Sequence, residues 1–483
     1  VIDISELHAG LFIGGTWRDA EQTFTTMNPA TAEPLAQLSS ADVDDVEDAV
    51  AAAAAAFHGA WGATPPSAKG VLLHRLADLV ERDCEQLAAL ESLDMGRPVG
   101  QGIAMMIPNF AASLRYYAGW ADKINGELVS TDGYFGGPPM HAYIRREPLG
   151  VVAAIVPWNA PLMILGWKLA PALACGNTVI VKPAEDASLS ILRLAELIDE
   201  AGFPPGTVNI LPGTGKVAGE ALSLHPGVKK ISFTGSTEVG RAILRNSAVN
   251  FKRTALELGG KAPQIVFDDA DVAAAVQGCA MGLFTNQGEV CAAGTRILVH
   301  RSVVNDVMDG LRDAALAQVL GDPFDPATTM GPLVNARQRD HVASYLDDFA
   351  TRGGRFVAGG GVPELPGFFV EPTVVAGTND MRIAREELFG PVGVIIPFDS
   401  DDEAVAMAND NEYGLSATVW TSDVSRAHLI SSRIDAGAIG VNGWSPLSPQ
   451  LPWGGVKASG IGRELGYEGI LSYTEPKTVA VVL

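Results

Sequence analysis

Leu149-Gly150-Val151-Val152-Ala153-Ala154-Ile155-Val156-Pro157-Trp158-Asn159 is followed by an apolar stretch, 162–174, and then by Thr178-Val179-Ile180-Val181-Lys182. The first and last of these runs are short, apolar and β-branched, which predicts buried strands. The stretch between them carries apolar residues three and four apart, which predicts a helix. The pattern then repeats. Residues 207–211, 228–233, 254–258 and 264–267 are expected as strands, and 188–201, 216–224 and 238–246 as helices. Strand and helix in strict alternation predict βαβ units on a parallel, doubly wound sheet, which binds ligands beyond the carboxyl ends of its strands.

Upstream, 44–57 holds six consecutive alanines in a helical context, and 69–91 places Leu72, Leu73, Leu76, Leu79 and Val80 at helical spacing. Both are expected to be packing helices. The turn-rich segment 119–141, with Gly133, Gly136, Gly137, Pro138 and Pro139, predicts a protruding hairpin. A second β/α region runs from Arg296 through a strand at 392–397 to about Lys457. The apolar run 478–483 is expected as an exposed strand with no local partner, suited to pairing with another subunit.

At 483 residues the chain exceeds one typical core, so two or three domains are expected. Its net charge of -22, from 34 basic and 56 acidic residues, repels polyanions and argues against nucleic acid as a partner. Cys84, Cys175, Cys279 and Cys291 are widely spaced without a CxxC pair, so neither a disulfide framework nor a metal site is expected, and a reducing compartment fits. No run approaches the ~18 apolar residues of a membrane span. The N-terminus shows no basic region followed by an apolar one, so a cytoplasmic location is expected. The start at Val1 is compatible with processing or truncation.

Cys291 lies in Asn286-Gln287-Gly288-Glu289-Val290-Cys291-Ala292-Ala293-Gly294, after Glu257-Leu258-Gly259-Gly260-Lys261. A thiol among small residues can attack a carbonyl carbon, and a carboxylate can draw a proton from water to release the product. Taken alone, Cys291 reads first as an inert core cysteine and Glu257 as a solvated helix end, and the rest of the chain reverses that reading. Two glycine signals compete for a cofactor's phosphates: Gly213-Thr214-Gly215-Lys216-Val217-Ala218, and Phe233-Thr234-Gly235-Ser236-Thr237-Glu238-Val239-Gly240, which offers N–H groups and hydroxyls at a helix start. Lys182 and Glu185, at the end of a strand, can grip the two hydroxyls of a ribose or form a plain ion pair. A functional Glu185 repels a 2′-phosphate and so favours NAD over NADP. The amide of Asn159 can donate to an oxyanion, with the Cys291 N–H as second donor.

With Pro157-Trp158-Asn159, Phe233 to Ser236, Glu257 to Lys261, Gln287 to Gly294, Glu386-Glu387-Leu388-Phe389-Gly390-Pro391-Val392 and Pro452 to Gly466 in order, the chain resembles the aldehyde dehydrogenase superfamily, in its hydrolytic class that does not acylate CoA. The resemblance covers essentially the whole length. It implies an α/β subunit with three parts: a Rossmann-type, doubly wound cofactor domain (1–118 and 142–258), an α/β catalytic domain (259–458, with 459–470 returning to the cofactor domain) and a small β oligomerisation region (119–141 and 471–483). A homo-oligomer, dimer or tetramer, is implied with it.

By the same resemblance, Cys291 attacks the aldehyde, Asn159 holds the thiohemiacetal oxyanion, and Glu257 activates the water that hydrolyses the thioester. Lys168 and Glu464 match a proton relay. NAD contacts fall to Val156, Pro157, Trp158, Lys182, Glu185, Gly215, Phe233, Gly235, Ser236, Val239, Leu258, Gly259, Glu387 and Phe389. Gly235 and Ser236 hold the diphosphate, and Gly213 lies nearer the adenosine end.

Two departures stand out. Glu289 occupies a position where many relatives carry glutamine, and a carboxylate there is expected to raise the thiol pKa. Ala160 is small where an aromatic is frequent, which widens the substrate channel. That channel is assigned to Asn109, Ala160, Met163, Ile164, Trp167, Val290, Ala292, Leu447 and Trp453. None is basic, so a neutral apolar aldehyde, aromatic, terpenoid or longer aliphatic, is expected as the small-molecule substrate. The alternative is a betaine or amino aldehyde held in a cage of Trp453, Trp167, Trp444 and Glu289. A non-catalytic binding or structural protein on the same fold is the remaining alternative.

Overall fold

The computed structural model describes residues 4–483. The runs quoted above form the strands Val151–Ile155, Thr178–Lys182, Val208–Ile210, Val228–Thr234 and Arg253–Glu257, parallel neighbours within an eight-stranded sheet. Across the sheet their order is Val208–Ile210, Thr178–Lys182, Val151–Ile155, Val228–Thr234, Arg253–Glu257. The chain therefore winds outward from Val151–Ile155 in one direction and resumes on its other side at Val228–Thr234. The crevice over that reversal is where a doubly wound sheet takes a ligand. Antiparallel strands close the two edges, Leu11–Ile13 with Thr16–Arg18 at one and Gly460–Ile461 at the other.

Helix Pro161–Ala174 starts with proline, whose missing N–H costs nothing in a first turn. It is apolar nearly all round, and every residue but Met163 is buried, as a helix sandwiched inside a domain requires. Helix 216–224 opens differently from expectation, with a wide π-helical turn at Gly215–Gly219 before Glu220–Leu224. The run 69–91 divides at Asp83 into Pro66–Arg82 and Cys84–Met95, and the Asp83 carboxylate is held there by Arg82 and Arg193.

Residues 264–267 do not continue the first sheet. Their strand, Pro263–Val266, belongs to a seven-stranded sheet, between Arg296–His300 and Ser416–Trp420. The link from Glu257 is too short for the crossover that parallel neighbours in one sheet require, so the chain leaves one sheet and begins the next.

The C-terminal strand also departs from expectation. Thr474–Val482 pairs along its length with Met140–Pro148 of its own chain, in a three-stranded sheet completed by Glu127–Val129. The partner was hidden because it lies hundreds of residues upstream. Val481, Val482 and Leu483 remain exposed on that strand. Among the described residues no helix is long and apolar enough to cross a membrane.

Candidate active site

Cys291 is delivered by a tight reversal. Helix Val272–Phe284 ends, and Asn286, Gln287 and Gly288 then follow with φ of +53°, +55° and +72°, left-handed values that L side chains adopt only under constraint. Gly288 is required because a Cβ there would lie 2.4 Å from the Gly390 carbonyl. Glu257 is the last residue of Arg253–Glu257, and the two glycines after it bring three segments together. A Cβ on Gly259 would lie 2.2 Å from Glu387 Oε2, and one on Gly260 2.3 Å from the Cys291 carbonyl oxygen. The Gly260 N–H donates to Glu387 Oε1 at 2.9 Å. The Glu387 carboxylate and the Cys291 carbonyl thus meet on one pair of glycines, two and three residues beyond Glu257.

The thiol keeps partial exposure, and its surroundings push its pKa up to about 12, through burial first, then Glu387 and Glu257. Glu387 is pushed up to about 7 by burial, against the pull of the Gly260 N–H and Lys261. Glu257 is 3 % exposed, neither of its oxygens has a hydrogen-bond partner, and burial followed by repulsion from Glu464 holds it well above the carboxylate range. Beneath it, Lys168 Nζ is paired with Glu464 Oε1 and donates to Thr234 Oγ1 at 2.7 Å, while Ser232 Oγ donates to the same Glu464 oxygen at 2.7 Å.

The expected effect of Glu289 on Cys291 does not arise. Glu289 turns away: its Oε1 accepts the Val334 N–H at 3.0 Å, burial raises its carboxyl, and the carboxylates that act on the thiol are Glu387 and Glu257. For the same reason it cannot supply the carboxylate of an ammonium cage. Asn159 is buried, and its Nδ2 donates to the Glu289 carbonyl at 2.8 Å, tying it to the cysteine segment.

The residues assigned to the cofactor line the crevice. Val156 follows the central strand and its N–H donates to the Lys182 carbonyl, and Pro157 and Trp158 come next, the Trp158 ring standing edge-on to Phe389 at 5.2 Å. Lys182 Nζ and Glu185 Oε2 are 3.3 Å apart, and Glu185 Oε1 accepts the Gly215 N–H at 2.8 Å. Ser236 caps helix Thr237–Ser247 by accepting the Val239 N–H, and Gly235 packs so tightly on the Phe233 ring that a Cβ would lie 2.5 Å from it. Leu258 and Gly259 are fixed from behind, Leu258 N–H to the Ser459 carbonyl and Ser459 Oγ to the Gly259 carbonyl.

Of the channel residues, Ala160, Ile164, Trp167, Ala292 and Trp453 share one buried apolar cluster, with Met163, Val290, Cys291 and Leu447 partly buried against it. Trp167 and Trp453 lie 6.4 Å apart, and Trp167 Nε1 donates to Asn109 Oδ1 at 3.1 Å. Trp444 instead donates to the Ala292 carbonyl.

Sequence reasoning missed Arg97 and Glu91. Both are fully buried and paired at 2.5 Å beneath Asn159. It also passed over Asn286, Ser232 and Ser459; only Asn286 carried a local signal, its place in the cysteine segment.

A doubly wound sheet with a thiol and two carboxylates gathered in one site defines an α/β protein with the residue types that covalent carbonyl chemistry needs. The chain belongs to the aldehyde dehydrogenase family, whose model matches residues 17–479. It is 45% identical to retinal dehydrogenase 2 of Gallus gallus, over 98% of this chain and 92% of that one. Among solved structures it is similar to PnpE from Pseudomonas sp. WBC-3 and to PnpE in complex with nicotinamide adenine dinucleotide (each 45% identity, TM-score 0.96, covering 99% of this chain and 98% of that one). It is also similar to a point mutant of Staphylococcus aureus betaine aldehyde dehydrogenase in complex with NAD+ (37% identity, TM-score 0.95, covering 99% and 98%).

Proposed function

We propose that the protein oxidises a neutral apolar aldehyde to the carboxylic acid with NAD. The observation that carries this reading is the gathering of Glu387 and Glu257 beside Cys291, with the Glu387 carboxylate and the Cys291 carbonyl packed against Gly259 and Gly260. Cys291 Sγ, as the thiolate left when its proton passes to water, adds to the aldehyde carbon, and Asn159 Nδ2, which has one N–H left beyond its bond to Glu289, stabilises the oxyanion. NAD, when bound, would supply the two-electron acceptor needed to take the thiohemiacetal to a thioester. Glu257 then takes a proton from water as that water attacks the thioester, and Lys168 and Glu464 carry the proton away.

The residues present fit NAD. Lys182 and Glu185 offer a donor and an acceptor to vicinal hydroxyls, the start of helix Thr237–Ser247 suits a diphosphate, and Glu185 repels an added 2′-phosphate. Phe389 at φ +57° and Trp158 form an aromatic corner toward the nicotinamide end.

The apolar substrate is favoured over a cationic one because the residues assigned to the channel are apolar or neutral and Glu289, the carboxylate a cage would need, is turned toward Val334. The test follows NADH formation with aromatic, terpenoid, aliphatic and ammonium aldehydes, with NAD and with NADP, for wild type beside Cys291→Ala. Turnover of apolar aldehydes with NAD that falls at least ~10³-fold in the variant is expected. Exclusive use of betaine-type aldehydes overturns the substrate, and no turnover of any aldehyde overturns the reaction.

A further inference from the structure

We propose that Arg97, held by Glu91 and acting with Asn286, is a positioning residue that aims the Asn159 amide at the reacting oxygen. This rests on the oxyanion role given to Asn159 above. The Arg97 guanidinium is fully buried and divides its donors among three segments of the chain: Nη1 to Glu91 Oε2 at 2.5 Å, Nε to Asn286 Oδ1 at 2.7 Å and Nη2 to the Asn159 carbonyl at 2.6 Å. Asn286 closes the circuit, its Nδ2 donating to the Asn159 carbonyl at 2.9 Å and to the Glu289 carbonyl at 3.1 Å. The second Glu91 oxygen accepts the N–H of Leu162, in the first turn of the helix that follows Asn159. All three Arg97 guanidinium nitrogens, both Glu91 oxygens and both ends of the Asn286 amide have partners, the condition under which a buried network rigidifies its surroundings.

The consequence is directional. Asn159 is pinned at its backbone carbonyl by two donors and at its side chain by the Glu289 carbonyl, two residues before Cys291. With one Nδ2 hydrogen committed, the orientation of the other is set relative to the nucleophile's own segment. Oxyanion stabilisation depends on donors that are already aimed when charge develops, so loosening the clamp slows the chemical steps and leaves cofactor binding alone. A lysine at 97 keeps the charge beside Glu91 but cannot reach three acceptors in a planar fork.

The test is a double-mutant cycle of Arg97→Lys with Asn159→Ala, with kcat expressed per titrated Cys291 thiol. Arg97→Lys is expected to lower kcat about 10- to 100-fold. The KM for NAD and the rate of Cys291 alkylation by iodoacetamide should stay within about twofold. In the Asn159→Ala background the same substitution should cost less than about twofold, because the group it aims is gone. Asn286→Gly, which tolerates the positive φ while deleting the side chain, must follow the same pattern and serves alone if Arg97→Lys does not fold. Losses that multiply in the double variant, or a wild-type kcat in both single clamp variants, overturn the proposal. Absence of aldehyde turnover in the wild type overturns instead the reaction on which it rests.

Discussion

Glu257 and Glu387 both stand beside Cys291, both raise its thiol, and both are pushed up by burial, yet Glu387 receives the Gly260 N–H while Glu257 receives nothing. A carboxylate fixed by a backbone donor is an oriented acceptor with one set position. A carboxylate without a partner is free to rotate and to change its protonation, the behaviour required of a base that meets water only late in a reaction. The surroundings reinforce the contrast. Glu257 Oε1 faces Gly454, where a Cβ would come within 2.6 Å, and Glu464 repels it from below while Lys168 opposes that repulsion. Glu387 packs against Gly259 so closely that any side chain there would displace it.

The most severe way to break this pair is at its unpartnered member. Glu257→Gln should lower steady-state turnover about 10²- to 10⁴-fold and still release one NADH per thiol in a first rapid burst, because thioester formation precedes the step that needs a base. Rapid-mixing absorbance reads both quantities, and a missing burst would place Glu257 earlier in the sequence. Wild-type turnover should also fall as pH is lowered through the raised Glu257 pKa, which lies well above the usual carboxylate range. Next in size is Gly259→Ala, which pushes the Glu387 carboxyl from its seat. The expected loss is about 10- to 100-fold in kcat/KM for NAD, with no burst followed by stalling.

The difference between the two acids was only half legible in the sequence. Cys291, Glu257 and the paired glycines announced themselves as chemistry because thiol, acid and small residues occurred together, and the alternation of strands and helices fixed where to look. What each glycine approaches was not readable, since Gly259 meets Glu387 and Gly260 meets Cys291 across long stretches of chain. Glu289 shows the opposite error. Its closeness to Cys291 along the chain suggested a charge beside the thiol, but the left-handed turn at Asn286 and Gln287 sends its side chain to Val334. Arg97 gave no signal at all, because a buried guanidinium is recognisable only from the acceptors the fold gathers around it. The sheet change after Glu257 was legible in principle: the linker to Pro263 is too short for a crossover.

A finer measurement separates the two acids by their fields on the thiol. Glu387 contributes more than Glu257 to raising Cys291, so Glu387→Gln should lower the thiol pKa and accelerate iodoacetamide alkylation of the cofactor-free enzyme by about three- to tenfold. Glu257→Gln should accelerate it less. Because Glu387 titrates at about 7, the gain should be present at pH 8, where the wild-type carboxylate is ionised, and nearly absent at pH 6, where it is protonated. An equal gain at both pH values would mean that the substitution acts by moving the thiol and not by removing a charge.

The smallest expected effect is on stability, and it bears on why Glu257 is left without a partner. Its folded-state pKa is raised, so the folded protein holds a proton that the unfolded chain has released once pH exceeds the ordinary carboxylate value. The destabilisation is absent below that value, grows as pH rises toward the folded pKa, and is full above it. Glutamine cannot ionise and does not carry this cost. Glu257→Gln should therefore raise the thermal midpoint by ~1–3 °C at pH 8 and by less at pH 5, read by calorimetry on the cofactor-free protein. A variant less stable than wild type at pH 8 would mean that the Glu257 carboxylate is satisfied by partners in solution, and the contrast with Glu387 would disappear. A stability gain joined to lost turnover is the signature of a group kept strained for its chemistry.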